Sequence, residues 1–363
     1  IKPGIAVETT ALNEVIDYPA RDMTVTVRAG ITLAKLQETL AAENQWLPLD
    51  VPQPESTTLG GAVALNQSGP HRHGYGTLRD YVIGISFVTD EGVEVKAGGR
   101  VVKNVAGYDL MKLQIGALGT LGIVTQLTLK VKPKPESSVA VLLGCDTPAL
   151  GSVLDLLHAS KARPAVVELL NHDAWRAAGV NPSVSAGWVL AVGLEEKATT
   201  VEWQLNTLLG ELKSAPVRDV TAIRGPAVEP LWRSLTELQR RPESRLIWKA
   251  SVLPSKVAEL VAAMAAVTPY LVHAEALNGI VWFHAPEGFP EDTDDPKLPW
   301  LEQQITRAGG NYVMRRCPTE WKRTLRVWGR PTGPLDLMQH VKRTLDPKGL
   351  FNPGRLFGDI SRV

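Results

Sequence analysis

Two sets of residues in this sequence have types and spacings that could do chemistry. The first is glycine interleaved with hydroxyl and amide side chains. It recurs in Thr57-Thr-Leu-Gly-Gly-Ala-Val-Ala-Leu-Asn-Gln-Ser-Gly69, Tyr75-Gly-Thr-Leu-Arg-Asp80, Lys103-Asn-Val-Ala-Gly-Tyr-Asp109 and Gly116-Ala-Leu-Gly-Thr-Leu-Gly-Ile-Val-Thr125. Glycine lets backbone N–H groups approach a large anionic ligand, so a diphosphate-bearing cofactor is the natural candidate. The competing reading is that these glycines serve the turns of a β-rich domain. The second set is His273-Ala-Glu-Ala-Leu-Asn-Gly-Ile-Val-Trp-Phe-His284, with two imidazoles beside Glu275 and Asn278. Such residues suit a metal or a proton-transfer site, but His284 on an alternating strand could equally cap a half-buried face. A third pair, His71 and His73 in Pro-His-Arg-His-Gly, reads as exposed in a glycine-rich loop rather than as a metal or flavin link.

Several chemistries are excluded. Gly116, Gly119 and Gly122 are spaced three apart, which does not fit the G-x-G-x-x-G dinucleotide turn. Phosphate-loop, H-E-x-x-H and G-x-S-x-G signatures do not occur. A net charge of +1 provides no basic stripe for nucleic acid. The apolar run from Val261 to Val272, broken by Thr268 and Pro269, is too short to span a bilayer. Two cysteines, Cys145 and Cys317, cannot hold an iron–sulfur cluster, and a reducing, cytoplasmic setting is the default expectation.

The elements that must position these residues fall into two compositions. Between Gly60 and Gly122 lie 13 of the 31 glycines, whereas nine of the ten tryptophans lie between Trp175 and Trp328, which argues for two domains. The proline-punctuated stretch Lys130–Ser138 reads as the linker between them. In the first part, Met23–Ala29 alternates as a strand. Gly30 ends it, Thr32 can cap a following helix, and Leu33, Leu36 and Leu40 share one face of that helix. Further strands are expected at Tyr81–Thr89, Val93–Lys96 and Gly122–Val131. The second part alternates strand-like Val139–Leu143, helix-like Thr147–Ser160, strand-like Ala165–Leu170 and Trp188–Val192, and helix-like Lys197–Leu212. A second round runs through Arg245–Val252, Ser255–Ala266, Tyr270–Ala274 and Gly279–His284, a layered α+β pattern compatible with a duplicated β-α-β unit. Glu287–Pro299, rich in proline and acidic residues, reads as a surface loop.

In order, Thr58-Leu-Gly-Gly61, Ser68-Gly69, Tyr75-Gly-Thr-Leu-Arg-Asp80, Ala106-Gly-Tyr-Asp-Leu110 and Leu118-Gly-Thr-Leu-Gly-Ile123 resemble the FAD-binding domain of the vanillyl-alcohol oxidase/PCMH flavoprotein superfamily. Leu345-Asp-Pro-Lys-Gly-Leu-Phe-Asn-Pro-Gly-Arg355 resembles the ending of its FAD-linked oxidase branch. Within that branch, Gly99-Arg-Val-Val-Lys-Asn-Val-Ala-Gly-Tyr-Asp109 is most similar to the FAD-binding E-subunit family of bacterial glycolate oxidase. The resemblance spans nearly the whole chain.

It implies FAD as cofactor, with Thr58, Gly60, Gly61, Asn66, Ser68 and Gly69 around the diphosphate and flavin edge. Gly74 and Gly76 would let the backbone pass the ring. Gly119, Gly122, Ile123 and Val124 would hold the ribityl and adenosine side, and Asn352 would fold back toward the isoalloxazine, although Asn352-Pro-Gly354 on its own is also a plausible turn. The implied fold is α+β: a partial PCMH-type FAD-binding domain over residues 1–134, a ferredoxin-like α+β cap over 135–333, and a segment 334–363 returning to the FAD domain. The flavin would lie between the domains. The family's Arg/Gly-rich first loop and covalent histidine have no counterpart before Gly30, so the sequence is read as lacking that first subdomain.

Relatives that oxidise D-2-hydroxy acids carry Gly-His-x-Gly-Asp-Gly-Asn-x-His; here the place is taken by His273 to His284 without the Gly-Asp-Gly core, leaving His273 and His284 as the candidate catalytic residues and no metal site. Hydroxy-acid oxidation also needs a cation for the carboxylate, and Arg72, Arg79, Lys103 and Arg355 are all open choices. The leading expectation is a subunit of a glycolate oxidase complex, acting with a homologous FAD-binding catalytic subunit and an iron–sulfur subunit, and peripheral to the inner membrane through those partners. A self-sufficient D-lactate or D-2-hydroxy-acid dehydrogenase and a non-catalytic flavin-binding assembly subunit are the alternatives.

Overall fold

The computed structural model describes residues 4–99, 109–180, 186–241, 243–266, 270–289, 292–330 and 333–355. These form two compact units: unit 1 from the described residues within 4–69, 76–134 and 333–355, and unit 2 from those within 70–75 and 135–330.

Unit 1 opens with β1 (Val15–Asp17) and β2 (Thr24–Arg28), and α1 (Leu33–Ala41) follows at once. Thr32 caps that helix by accepting the Lys35 N–H at 3.3 Å, and Leu33, Leu36 and Leu40 are its buried face, as the spacing predicts. Next come β3 (Gln45–Trp46), α2 (Leu59–Leu65) and, after the short α3 (Arg72–Tyr75) that belongs to unit 2, α4 (Leu78–Tyr81), β4 (Val82–Val88) and β5 (Glu94–Gly98). After α5 (Met111–Gln114), β6 (Ile123–Lys130) and β7 (Lys132–Pro133) complete this part. β1-β2-β6-β4-β5 make a five-stranded antiparallel sheet, in which Val25 and Val27 pair with Leu129 and Leu127 and all four are fully buried. The boundary between the units falls inside the expected linker, after Lys134, but strands take up part of that stretch: Lys130 ends β6, and Trp46↔Lys132 and Gln45↔Pro133 pair β3 with β7. A two-residue edge pairing tolerates the proline that argued for a linker.

Unit 2 begins with β8 (Ser137–Cys145), α6 (Leu150–Ala159), β9 (Val166–Asn171), α7 (His172–Ala177), β10 (Trp188–Glu196), α8 (Ala198–Leu212) and β11 (Arg218–Arg224). α9 (Val228–Glu237) leads to a second round: β12 (Ile247–Ser251), α10 (Val257–Ala265), β13 (Leu271–Glu275), β14 (Ile280–His284), α11 (Lys297–Arg307) and β15 (Asn311–Arg316). The order β11-β8-β10-β9-β13-β14-β12-β15 is two β-α-β-β-α-β units joined edge to edge through β9 and β13. The duplication expected from the pattern is therefore present, and each copy has the ferredoxin-like strand order. Alternation sorts the residues. Val141, Leu143, Leu190, Val192, Val272, Ala274, Val281 and Phe283 pack into the core shared with α6, α8, α10 and α11. Leu142, Val189 and Ala191 of the first copy face the other way, against Trp175 of α7 and Trp232 of α9.

The chain ends in unit 1 with α12 (Leu335–Leu345) and the turns after it. Among the described residues no helix is long and apolar enough to cross a membrane.

Candidate functional site

Five residues with left-handed backbone meet in unit 1: Asn66 (φ 45°), Gly116 (81°), Leu118 (56°), Gly119 (64°) and Asn352 (42°). Asn66 ends α2, its N–H bonding back to Ala62 O and Val63 O. The 116–119 turn then pairs with the freed carbonyls of that helix, Gly116 N–H to Val63 O at 2.9 Å and Leu118 N–H to Ala64 O at 2.8 Å. From the end of the chain, Asn352 donates its Nδ2–H to Leu118 O at 2.8 Å. A Cβ on Gly119 would lie 2.9 Å from that same nitrogen, and one on Gly116 would lie 3.4 Å from the Asn66 Cβ. The structure thus brings Asn66, Gly119 and Asn352 together across 286 residues of sequence (352 − 66). Asn66 Oδ1 is buried here with no hydrogen-bond partner among the described residues. An orphaned buried acceptor costs stability unless a ligand donor reaches it, and the hydroxyls and ring N–H of FAD are such donors. The residues present fit the cofactor.

The remaining glycine positions divide by role. Thr58 caps α2, accepting the Gly61 N–H at 3.2 Å, while the Gly60 N–H bonds Ala29 O at 2.7 Å. A Cβ on Gly60 would sit 2.9 Å from Ala29, so close packing explains this glycine. Both N–H groups are thus hydrogen-bonded inside the protein. Ser68 and Gly69 follow as buried residues. Gly76 is left-handed (φ 87°), with the Asp80 carboxylate accepting the next N–H, that of Thr77, at 2.8 Å. Gly122 precedes β6, which Ile123 and Val124 open by pairing with Val88 and Phe87. Gly74 belongs to unit 2, with its N–H on Ala165 O at 2.8 Å and no room for a Cβ against that residue.

The Pro70–Tyr75 stretch belongs to unit 2 because Glu195 clamps it, bonding His71 Nε2 at 3.1 Å and the Tyr75 hydroxyl at 3.0 Å. His71 is therefore buried, not exposed as its glycine-rich setting suggested, and His73 is half-buried. Burial, then His158, lowers the His73 pKa.

His273 and His284 lie on one sheet face of unit 2, turned from the helical core. Strand register places Glu168 of β9 opposite Glu275 of β13. His273 is opposite Trp282 of β14, which is opposite Lys249 of β12. His284 is opposite Leu271 and Ile247. Glu168, His273, Glu275 and His284 are all at least 98% buried. His273 stacks on Trp282 with ring centroids 6.2 Å apart, and its Nε2 is 3.3 Å from Glu168 Oε2. Both nitrogens of each imidazole and both Glu275 oxygens have no hydrogen-bond partner among the described residues. Burial lowers His273 to about 4, with Glu275 opposing; burial, His273 and Arg241 lower His284 to about 3. Burial and the neighbouring Glu168 raise the Glu275 carboxyl, against the pull of Lys249, Arg72 and His273. Burial lowers the Lys249 ammonium, against Glu275. Both rings are thus neutral near pH 7, able to accept a proton. No cluster of three or more metal-ligating side chains occurs among the described residues.

Of the four candidate cations, Arg72 acts electrostatically on this face, through Glu275 and Lys249. Arg79 and Arg355 are exposed residues of unit 1, and Lys103, with Asn104–Tyr108, lies outside the described residues. Sequence reasoning missed Glu168, Lys249 and Glu195. The signal for the first two was present: a lone charge inside the apolar strands Val166-Val-Glu-Leu-Leu170 and Leu246-Ile-Trp-Lys-Ala250.

The five-stranded sheet of unit 1 and the doubled ferredoxin-like sheet of unit 2 are those of a PCMH-type FAD-binding domain and an FAD-linked oxidase cap. Residues 1–98 match the FAD binding domain family, and residues 134–289 and 329–356 match the family "FAD linked oxidases, C-terminal domain". The chain belongs to the FAD-linked oxidase family, and FAD is its cofactor. It is 38% identical to the glycolate oxidase subunit GlcE of Escherichia coli (strain K12), covering 95% of this chain and 85% of that protein. It is 26% identical to the glycolate oxidase subunit GlcD of Bacillus subtilis (strain 168), over 99% of this chain and 80% of that one. It is 25% identical to the D-2-hydroxyglutarate dehydrogenase of Stutzerimonas stutzeri (strain A1501), over 97% and 81%. Among solved structures, alkyldihydroxyacetonephosphate synthase shares the fold, with a TM-score of 0.67 at 18% identity over 95% of this chain and 67% of that one.

Proposed function

We propose that this chain is the FAD-binding subunit of a glycolate oxidase complex, oxidising glycolate to glyoxylate and passing electrons through the flavin to an iron–sulfur partner subunit. The observation that carries the reading is the left-handed cluster of Asn66, Leu118, Gly119 and Asn352 around the orphaned Asn66 Oδ1. Its similarity to the glycolate oxidase subunit GlcE supports the choice of complex and substrate. Two separate cysteines, Cys145 and Cys317, leave a cluster to the partner.

In this reading Asn66 and Asn352 hold the flavin side of FAD, Gly119 leaves it room, and Ser68, Gly69, Gly76, Gly122, Ile123 and Val124 form the wall around it. Bound FAD supplies a two-electron acceptor for the hydride from C2 of the hydroxy acid. Within unit 2, His273, kept neutral by burial, is the candidate proton acceptor, and the Glu168 carboxylate 3.3 Å from its Nε2 would stabilise an imidazolium there. His284 is a second neutral ring on that sheet face, and Arg72 acts on the face electrostatically through Glu275 and Lys249. The setting is cytoplasmic, with membrane association through partners.

The test is an anaerobic visible spectrum of the full-length protein before and after glycolate. Flavin bands that bleach, and that no longer bleach in His273→Gln, are the expected result. Bands that bleach only when a homologous FAD-binding subunit is added would move the proton and hydride steps to that subunit. Bleaching by D-lactate or D-2-hydroxyglutarate but not by glycolate would overturn the substrate assignment.

A further inference from the structure

Lys342, near the end of α12, has all three ammonium hydrogens in use. They go to Thr120 O at 2.7 Å, to Phe351 O at 3.0 Å and to the Asp346 carboxylate. Asp346 is buried and accepts two more hydrogens, from Leu350 N at 2.8 Å and Phe351 N at 2.9 Å. Burial alone would raise the Asp346 carboxyl; the Lys342 ammonium and the two backbone N–H groups outweigh it and hold the group below the usual carboxylate range. A buried polar network is rigid only when every member is satisfied, and this one meets that condition at Lys342.

The placement of its acceptors is the informative part. Thr120 follows Gly119, and Phe351 precedes Asn352. Lys342 therefore ties together, two residues from Leu118 and one from Asn352, the two strands of chain that Asn352 Nδ2 and Leu118 O join directly. Both strands carry left-handed residues, Leu118 and Gly119 on one and Asn352 on the other. Conformations so sparsely populated persist only where surrounding bonds over-determine them.

We propose that Lys342, with Asp346, is a positioning residue for the FAD cradle: it holds Leu118–Gly119 and Asn352 in their left-handed geometry and so sets FAD affinity without touching the cofactor. The inference rests on the reading of this cluster as the FAD site. An ammonium suits the task because its three hydrogens diverge, whereas a guanidinium offers a planar fork that cannot reach the same three acceptors.

The experiment uses the full-length protein stripped of FAD and titrated with FAD, following the quenching of flavin fluorescence. Asn352→Ala and Lys342→Met should each weaken binding about tenfold or more, the scale of losing a charge-assisted or orienting hydrogen bond. Lys342→Arg should not restore it. The double variant Lys342→Met/Asn352→Ala should bind no more weakly than the worse single variant, since both act through one cluster. Hydrogen exchange of the FAD-free Lys342→Met variant should speed up across residues 116–120 while residues 123–130 keep wild-type protection. If Lys342→Met melts unit 1 as a whole, Asp346→Asn, which keeps the side-chain volume, should still weaken FAD several-fold. A Lys342→Met affinity within threefold of wild type, with Asn352→Ala impaired, would overturn this inference and leave the FAD site standing. Multiplicative losses in the double variant would overturn it as well. An Asn352→Ala variant that binds FAD normally would overturn both.

Discussion

Lowering the pH from 6.5 to 5 should weaken unit 2 through two imidazoles that its fold keeps uncharged. Burial holds His273 at about 4 and His284 at about 3, whereas each titrates near 6.5 in the unfolded chain. Across this window the folded state stays neutral at both rings while the unfolded chain takes up a proton on each, so stability falls as the pH falls. The slope approaches about 1.4 kcal/mol per pH unit per ring, which integrates to about 1.5 kcal/mol for each over the window. Glu275 acts in the opposite sense. Its carboxyl is raised by burial and by Glu168, so the folded state keeps a proton that the unfolded chain has lost, and this contribution grows as the pH falls. Two protons against one leave a net loss from the three groups. The assay is urea unfolding at half-unit pH steps, followed by tryptophan fluorescence. Nine of the ten tryptophans lie between Trp175 and Trp328, so the signal reports unit 2. His284→Leu should flatten the pH dependence by about 1.5 kcal/mol across the window, and Glu275→Gln should steepen it. Other ionisable groups are common to the variants and cancel. A His284→Leu slope equal to that of the wild type would show that this ring ionises freely in the folded chain, and the argument for a buried neutral imidazole would fall.

Three further substitutions probe separate links in the chain of reasoning. Thr58→Ala removes the cap of α2 and should cost about 1 kcal/mol, visible as faster hydrogen exchange over residues 59–65. Gly119→Ala places a Cβ 2.9 Å from Asn352 Nδ2 on a left-handed backbone; a fluorescence titration should show FAD bound several-fold more weakly, with unit 2 unfolding unchanged. Gly193→Ala brings a methyl group to 2.8 Å from both Trp232 and Val166, an overpacking that should lower the urea midpoint of unit 2 by the equivalent of about 1–3 kcal/mol.

Much of the architecture was legible because it rests on local signals. The Thr32 cap and the Leu33, Leu36 and Leu40 spacing predict α1 directly, and period-two alternation finds most strands of both ferredoxin-like copies. β11 escaped because Arg218–Arg224 is an exposed edge with almost no buried side chain, so no apolar alternation marks it. α2 escaped because Gly60 and Gly61 argue against a helix; the close approach to Ala29 that requires Gly60 is a tertiary fact. The His273 face was visible only in part. Glu168 and Lys249 lie 105 and 24 residues before His273 (273 − 168 and 273 − 249), and only the strand register brings them beside it. The Glu195 clamp on His71 and Tyr75 had no sequence signal.

The distribution of backbone strain is a stronger pointer to function than any single motif. Eight non-glycine residues have positive φ among those described, and three of them, Asn66, Leu118 and Asn352, fall in one cluster. Asparagine tolerates this region through its short polar side chain, but leucine does not, and a left-handed Leu118 costs about 1–2 kcal/mol. Two hydrogen bonds hold it there, Leu118 N–H to Ala64 O and Asn352 Nδ2–H to Leu118 O. If the strain serves to fix the turn before the cofactor arrives, Leu118→Gly should separate stability from binding. Glycine adopts the same φ without the steric cost, so the FAD-free unit should unfold at an equal or higher urea concentration. The same freedom lets the turn sample other shapes, so FAD should bind several-fold more weakly, the trade expected where strain pre-organises a site. A Leu118→Gly variant that binds FAD as tightly as the wild type would show that the left-handed leucine is a by-product of the fold and contributes nothing to the cradle.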